Sequence, residues 1–268
     1  MAEYETIVID HPADHVARIT FNRPEKRNAI STPMRNELTA ALESHDRDEN
    51  VRVTVLRGAG PCFSAGYDLG GGLLDDPRYH TAPGDGVWAR HVTQNWFDIW
   101  DLAKPVVAQV HGYALAGATE LAQACDLVYV ADDARIDYPV VRVASPPDCA
   151  YQMPLVGMRR AMEIMLTGGA MTGAEAATIG WANRAYPAAE LDDAVLGVAT
   201  TVASIASDLA QINKRLVHRQ AEIMGVRSAI RAGSEFQALA SHQGSVAAFL
   251  ADPLGTMQRH NAAVDPSG

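Results

Sequence analysis

The strongest constraint on the fold of this chain is a set of three short and almost uncharged apolar runs. A helical stretch separates two of them. The runs lie at residues 51–56, 106–110 and 127–130, and residues 117–124 between the second and third have the spacing of a helix. Short apolar runs are typical of strands buried on both faces, and the order strand, helix, strand indicates a mostly parallel sheet. The sequence therefore predicts an α/β fold.

The first 50 residues predict a β-hairpin followed by a helix. Residues 4–10 and 16–21 are rich in Ile, Val and Thr, and the polar stretch between them is typical of a turn. Further along, apolar residues recur at every fourth position from residue 34 to residue 42. We expect Thr32 to cap this helix and Pro33 to occupy its first position.

The end of the chain contains only helical periodicity, which predicts a helical C-terminal subdomain after a strand-containing core. Thr172 and Glu175 have the spacing of a capping box, and residues 181–186 predict a last strand. Helices are predicted at residues 158–166, 190–206, 208–224, 226–239 and 246–250. Residues 70–87 are rich in Gly, Asp and Pro, and predict a mobile loop that could cover a site.

The charge of the chain excludes several classes of partner. Lys and Arg number 22 against 32 Asp and Glu, which gives a net charge of −10. Such a chain has no basic surface for a phosphate backbone, so we expect no nucleic-acid partner. No run approaches the roughly 18 apolar residues of a membrane span, and the first residues lack the pattern of a signal peptide. We therefore expect no membrane partner and a cytoplasmic location.

The three cysteines argue against a disulfide framework or a zinc site. Cys62, Cys125 and Cys149 are odd in number, far apart and in no C-x-x-C pair. Glycine motifs for nucleotides and the H-E-x-x-H metal motif do not occur in the sequence. The sequence therefore predicts three buried thiols, no metal and no nucleotide cofactor.

One run carries the strongest functional signal: residues 111–126, with the sequence HGYALAGATELAQACD. An N–H in the first turn of a helix has no partner within the helix, so the N–H of Gly117 can face an anion. Glu120 lies three residues later on the same helix face, where a base would stand beside that donor. The alternative is that Glu120 only favours the helix N-terminus electrostatically.

Together with other segments, this run resembles the crotonase family, also called the enoyl-CoA hydratase/isomerase superfamily. The order and the spacing of the motifs both match that family over roughly residues 5–190. The matching segments are 21–29 (FNRPEKRNA), 62–69 (CFSAGYDL), 104–117 (KPVVAQVHGYALAG), 156–162 (VGMRRAM) and 166–168 (LTG).

The resemblance implies a spiral of β-β-α units with a helical end that assembles trimers, often paired into hexamers. Residues 1–190 would form the core domain that binds and transforms the substrate, and residues 191–268 the helical trimerisation region. The substrates of the family are acyl-CoA thioesters, so coenzyme A would enter as part of the substrate and no separate cofactor is expected. The shared chemistry is an enolate whose oxygen accepts two backbone N–H groups, which by motif position are those of Tyr67 and Gly117.

Four further residues match the positions that bind CoA in the family. Ala65 and Asp68 match positions near the adenine end, and Lys26 and Arg27 match a cationic stretch near the CoA phosphates. For the two cations, a solvated surface position is the alternative interpretation.

The choice of reaction depends on two positions after the next strand. Hydratases of the family place two glutamates around one water; the first matches Glu120, and the second would fall at Val140, which cannot exchange a proton. Asp148 matches an aspartate that acts as a base in related isomerases. We therefore expect double-bond isomerisation or hydration, with Glu120 and Asp148 as the acid/base pair.

Other interpretations of Asp148 stay open at this point. In related dehalogenases the matching aspartate is a nucleophile, which would imply hydrolysis or dehalogenation of a CoA thioester. Asp148 could also be a turn residue after two prolines, in a catalytically weak acyl-CoA binder. Trp88, Trp96 and Trp100 either shape the acyl pocket or belong to the core.

Overall fold

The chain is described here by a computed structural model over residues 4–70 and 87–264, in which two sheets are surrounded by helices. The strands in these ranges are β1 (Ile7–Ala13), β2 (Val16–Phe21), β3 (Val53–Gly58), β4 (Val106–Val110), β5 (Tyr113–Leu115), β6 (Leu127–Ala131), β7 (Arg135–Asp137), β8 (Met171–Thr172) and β9 (Arg184–Tyr186). The helices are α1 (Thr32–Arg47), α2 (Val87–Asp101), α3 (Gly117–Ala124), α4 (Gln152–Thr167), α5 (Gly173–Thr178), α6 (Leu191–Ser204), α7 (Ser207–Ile223), α8 (Val226–Ser241), α9 (Ala247–Ala251) and α10 (Pro253–Val264).

The larger sheet has six strands in the order β1-β2-β3-β4-β6-β9. Its first pair is antiparallel, which confirms the predicted hairpin, and every later pair is parallel. Apolar side chains cover both of its faces, as the nearly continuous apolar runs of β3 and β4 predict. The α/β fold expected from the sequence is confirmed.

The smaller sheet has the order β5-β7-β8; its strands β5 and β7 follow strands β4 and β6 of the larger sheet, and β8 follows α4. Between β4 and β5 the chain turns at Gly112, whose φ is +59° and whose Cβ position would lie 2.0 Å from the carbonyl oxygen of Pro61. Only glycine allows both this conformation and this close approach. The chain then enters α3, so β4, β5 and α3 form one β-β-α unit.

Two apolar clusters hold the layers together. On one face of the larger sheet, α1, α2 and α3 contribute buried side chains such as Met34, Trp96 and Leu121. On the other face, Leu191 and Val195 of α6 pack with valines of β2, β3 and β4. The first helix of the predicted C-terminal subdomain therefore packs on the sheet, and the division of the chain at residues 190 and 191 stays a prediction.

Several helix boundaries differ from those expected. Ser31, not Thr32, caps α1 by accepting a hydrogen bond from the N–H of Met34 at 3.3 Å. Thr32 is the first residue of the helix and Pro33 the second, because a serine hydroxyl serves as a cap equally well. Helix α4 begins at Gln152, six residues early, and is kinked at Gly157, where φ is +74°. The predicted capping box of Thr172 and Glu175 is confirmed.

Some elements were not expected from the sequence at all. Helices α2 and α10 and the short strands β5, β7 and β8 were not predicted, and the last strand covers only Arg184–Tyr186. All three cysteines are buried free thiols, as expected. The loop predicted over residues 70–87 falls almost entirely outside the described residues, as does the side chain of Trp88.

In the described part of the chain, no single helix is both long enough and apolar enough to span a membrane. The pair α6 and α7 meets both criteria together by length and composition alone, with a bend of 106° between the two helices.

Candidate active site

The first turn of α3 lies at a bend that brings two chain segments side by side. Ala116 precedes the helix with a φ of +48°, an uncommon conformation for a residue with a side chain, and its N–H donates to the carbonyl of Asp137 at 2.9 Å. The Cβ position of Gly66 would lie 2.6 Å from the carbonyl oxygen of Leu115 and 3.4 Å from the nitrogen of Gly117. The backbone that carries the N–H groups of Tyr67 and Gly117 is therefore adjacent, as two donors to one oxygen require.

Glu120 is fully buried one turn further along α3, and protein donors surround its carboxylate. Oε1 accepts hydrogen bonds from the Tyr138 hydroxyl at 2.8 Å and from the N–H of Asp148 at 3.1 Å. Oε2 accepts one from the Tyr67 hydroxyl at 3.1 Å. These donors fix the orientation of the carboxylate towards the segment before α4 and towards the loop after β3.

Burial raises the pKa of Glu120 to about 7, although the hydrogen bonds from Tyr138 and Tyr67 lower it. The loss of hydration therefore outweighs donation to the charged form. A carboxyl with a pKa near neutrality accepts and releases protons readily at physiological pH, which is what a general base needs. This environment contradicts the interpretation that Glu120 only favours the helix N-terminus, since a purely electrostatic helix residue would remain solvated.

Asp148 contacts Glu120 through its backbone N–H. Its carboxyl is buried, and its Oδ1 has no hydrogen-bond partner among the described residues. Burial, and then the charge of Glu120, raise the pKa of Asp148 well above its usual range, while the guanidinium of Arg35 lowers it. Arg35 is itself buried on α1.

The charges of this site balance when the two carboxyl groups hold one proton between them. One carboxylate and the guanidinium of Arg35 then leave no net charge, whereas two carboxylates would leave an uncompensated buried charge. Two adjacent acids that cannot both ionise supply one base and one acid at the same pH. The arrangement of Glu120 and Asp148 therefore fits proton transfer between two positions of a bound molecule.

The four residues expected to bind CoA lie together at one edge of the site. Lys26 and Arg27 are exposed at the end of a 3₁₀ turn, and the carbonyl of Arg27 accepts a hydrogen bond from the N–H of Ala65 at 2.9 Å. Asp68 follows on the same segment. Its carboxylate forms an ion pair with Arg23 at 2.9 Å and accepts the N–H of Gly70 at 3.1 Å. The carboxylate of Asp68 is thus already engaged by the protein.

The structure adds one residue that sequence reasoning missed, Tyr138, and shows a contact of Trp96, which the sequence offered only for the acyl pocket or the core. Tyr138, two residues before Val140, donates to Glu120, and Trp96 of α2 donates its indole N–H to the Tyr67 hydroxyl at 3.1 Å. The position of Tyr138 just before the proline of the Val140 segment was the available signal. Trp96 is also part of the core, whereas Trp100 stacks on His218 with 4.3 Å between ring centroids.

Comparison with known proteins agrees with this architecture. The family model for enoyl-CoA hydratase/isomerase matches residues 12–251. The chain is 31% identical over 226 residues to a probable enoyl-CoA hydratase of Mycobacterium bovis, covering 82% of this chain and 83% of that protein. It is 32% identical over 255 residues to a probable enoyl-CoA hydratase of Rhizobium meliloti, covering 92% and 96%.

A solved structure shows the same fold over nearly the whole chain. The structure of an enoyl-CoA hydratase from Mycobacterium smegmatis matches with a TM-score of 0.87 and 30% identity, covering 99% of this chain and 95% of that one. The chain therefore belongs to the enoyl-CoA hydratase/isomerase family, and the predicted crotonase-like fold is confirmed.

The raised pKa of Glu120 predicts an unusual pH dependence of stability. A buried carboxyl with a pKa of about 7 binds its proton more tightly in the folded than in the unfolded chain. The contribution of Glu120 to the free energy of unfolding should therefore fall as the pH rises from about 4.5 to 8, whereas buried His45, whose pKa is lowered to about 4, acts in the opposite direction. In Glu120→Gln the fall should be smaller by roughly 3 kcal/mol, since one pKa unit corresponds to about 1.4 kcal/mol.

Urea unfolding at a fixed protein concentration across this pH range measures the difference in pH slope between the wild type and Glu120→Gln. The readout is the slope with pH, because the amide of the variant also changes the hydrogen bonds at every pH. Glu235→Gln removes an exposed carboxyl and should leave the slope unchanged. Parallel curves for the wild type and Glu120→Gln would show that the pKa of Glu120 is not raised.

Proposed function

We propose that the protein is an enzyme that isomerises or hydrates a double bond in an acyl-CoA thioester, with Glu120 and Asp148 as the proton carriers. Family membership supports the acyl-CoA substrate. The observation that carries the reaction type is the burial of two acids joined by a hydrogen bond, from the backbone N–H of Asp148 to the carboxylate of Glu120, one turn of α3 from Gly117. We expect no cofactor besides the CoA portion of the substrate.

In an isomerisation, Glu120 takes a proton from a carbon of the acyl chain and the electron pair moves onto the thioester oxygen. The enolate then takes a proton from Asp148 at a carbon further along, and the double bond has moved. One proton has passed from Asp148 to Glu120, and its return to Asp148 completes the cycle. We assign Glu120 as the base because the hydrogen bonds to its carboxylate favour the ionised form. We assign Asp148 as the acid because its Oδ1 has no partner among the described residues and burial raises its pKa.

Stabilisation of the enolate is assigned to the backbone N–H groups of Gly117 and Tyr67. The N–H of Gly117 lies in the first turn of α3 and donates to no acceptor within the described residues. Loss of one such donor costs about 10² to 10³ in rate in other enzymes. Replacement of Gly117 is not a selective test, because any Cβ there would lie 2.4 Å from the Tyr67 ring.

Hydration by the same pair is the second candidate. Several relatives are described as probable enoyl-CoA hydratases, which supports it. A hydratase with this site would place a water against Glu120 and use Asp148 in place of the absent carboxyl at Val140. The half-buried isopropyl group of Val140 cannot take that role.

The site favours proton transfer over attack by Asp148 on the substrate. A nucleophilic aspartate has to be ionised, whereas burial and the charge of Glu120 both favour the protonated form of Asp148. Hydrolysis or dehalogenation through Asp148 is therefore less well supported. A weak acyl-CoA binder would have no need to keep two carboxyl groups out of water beside one another.

The binding of CoA is assigned to Lys26, Arg27, Ala65 and Asp68. Lys26 and Arg27 are exposed and can reach phosphates, while Ala65 offers backbone next to them. Asp68 acts within this proposal mainly by fixing Arg23, since its carboxylate already binds that guanidinium.

We also propose that the protein assembles as a trimer or a dimer of trimers through its C-terminal helices. Helix α7 exposes an apolar face at spacings of three, four and seven residues. Its members are Leu209, Ile212, Leu216 and Ile223, each more than half exposed in a single protomer. A continuous apolar surface of this kind is typical of a contact with another chain.

The acid/base assignment predicts large losses of turnover in conservative variants. Glu120→Gln and Asp148→Asn should each lower kcat by about 10² or more with little change in KM, the usual scale for removal of an acid or base. Steady-state assays on a panel of enoyl-CoA thioesters, for double-bond shift, hydration and CoA release, measure this. Asp133→Asn, an exposed acid, is the control and should keep full activity.

Two further readouts separate the mechanisms. Isomerisation in deuterated water should place deuterium in the substrate, whereas a nucleophilic Asp148 would leave an ester on the protein, visible as a mass increase after quenching. Full activity of Asp148→Asn on every thioester that the wild type turns over would contradict the two-acid mechanism.

The assembly is tested by light scattering. The wild type should have a mass of three or six times 28.7 kDa. The double variant Ile212→Asp, Leu216→Asp should shift towards the monomer, because two charges cannot be buried in an apolar contact. Val8→Asp, which replaces an exposed apolar residue on the edge strand β1, should leave the oligomeric mass unchanged. A wild-type monomer at micromolar concentration would overturn the proposal.

A further inference from the structure

The side chain of Tyr67 contacts two groups of α3: the backbone at Gly117 and the carboxylate of Glu120. Its ring lies against Gly117, since a Cβ on that residue would be 2.4 Å from Cε2 and Cζ of the ring. Its hydroxyl accepts a hydrogen bond from the indole of Trp96 and donates one to Glu120, both at 3.1 Å. The phenol therefore extends from the N-terminus of α3 to the carboxylate one turn away.

Among the described donors to Glu120, Tyr67 is the least buried. Glu120 is fully buried, and the other described residues that donate to it, Tyr138, Asp148 and Cys149, are at most 5% exposed. Tyr67 is half-buried. A reacting carbon has to come within about 3 Å of Glu120 while the thioester oxygen lies beside Gly117. The ring of Tyr67 occupies this space between Gly117 and Glu120.

We propose that the phenol of Tyr67 is a gate that an acyl group must displace in order to reach Glu120, and that it thereby determines which acyl groups enter. This inference rests on the proposed function, because it takes the acyl group to bind beside Glu120. Displacement moves the ring away from Gly117 and breaks the hydrogen bonds to Trp96 and Glu120. The backbone N–H of Tyr67 keeps its assigned role, so one residue contributes a donor through its backbone and controls access through its side chain.

Displacement of the phenol also changes the pKa of Glu120. Donation from the Tyr67 hydroxyl favours the ionised form of Glu120, so its loss raises the pKa of that carboxyl in the complex. The free protein holds Glu120 as a weaker base, and arrival of the substrate makes it a stronger one. The other titratable groups that face Glu120 are Tyr138, Asp148, Cys149 and Tyr151, and Arg35 acts on Asp148. Burial raises the pKa of the tyrosines and of Cys149, so they stay protonated at neutral pH.

Two variants of Tyr67 isolate the gate. Tyr67→Phe keeps the ring and removes both hydrogen bonds, Tyr67→Ala removes the ring, and both keep the backbone N–H. Tyr113→Phe, at an exposed tyrosine on β5, is the matched control. Acetyl-CoA binding is measured by calorimetry on the full chain. Tyr67→Phe should bind about tenfold more tightly than the wild type, because no hydrogen bonds have to be broken, and Tyr67→Ala at least as tightly.

The pH profiles distinguish a gate from a residue that only positions Glu120. With a thioester that the wild type turns over, kcat/KM reports the free protein and kcat reports the complex. In Tyr67→Phe the apparent pKa on kcat/KM should rise by about one unit or more, since a hydrogen bond to a charged group is lost. The pKa on kcat should stay unchanged, because the phenol has already left Glu120 in the complex.

The outcomes that overturn the gate differ from those that overturn the function. Equal affinities for acetyl-CoA in the wild type and both variants, or equal shifts of both pH profiles, would show that Tyr67 stays on Glu120 and is no gate, while the proposed function stands. Binding by the variants but not by the wild type would support both proposals. No binding by any of the proteins would contradict the proposed function, and the gate with it.

Discussion

The loss of water around two neighbouring carboxyl groups is the constraint on which the rest of the site depends. Transfer of an ion from water into a protein interior costs several kcal/mol, and two like charges in contact cost more. Arg35 supplies one buried cation against this cost, and a proton shared between Glu120 and Asp148 would remove the second negative charge. The same burial that makes the pair expensive brings the pKa of Glu120 to about 7, where a base is useful. The burial of these carboxyl groups therefore both lowers the stability of the fold and raises the basicity of Glu120.

The fold supplies the donors that make this burial tolerable. Helix α3 carries Glu120, the turn after β7 carries Tyr138, and the segment before α4 carries Asp148. These elements meet because β4 and β6 of the larger sheet are each followed by a strand of the smaller one, so that β5 and β7 pair beside the start of α3. A carboxylate that accepts hydrogen bonds from three separate segments cannot rotate freely. The orientation of the Glu120 carboxylate is therefore a property of the tertiary structure and not of the helix alone.

The sequence predicts local features of this arrangement well and long-range ones poorly. Helix α3 was predicted at its observed boundaries because small residues at the bend and the apolar strands on either side are local signals. The strands β5, β7 and β8 have only two or three residues, too few for a periodic pattern. The hydrogen bonds of Tyr67 and Tyr138 to Glu120 join residues 53 and 18 positions apart, so no spacing rule indicates them. Helix spacing singled out Gly117 and Glu120, and motif resemblance added Tyr67 and Asp148, but the contacts of the Tyr67 side chain are visible only in three dimensions.

The central claim is that one proton resides on Asp148 while Glu120 is ionised, and infrared spectroscopy of the protonated carboxyl band tests it most directly. At slightly alkaline pH, the spectrum of the wild type minus that of Asp148→Asn should contain the band of a buried protonated carboxyl. The band should persist in Glu120→Gln, because burial still raises the pKa of Asp148 in that variant. A difference spectrum without the band would contradict the shared-proton account, because both carboxyl groups would then be ionised or the proton would lie on Glu120.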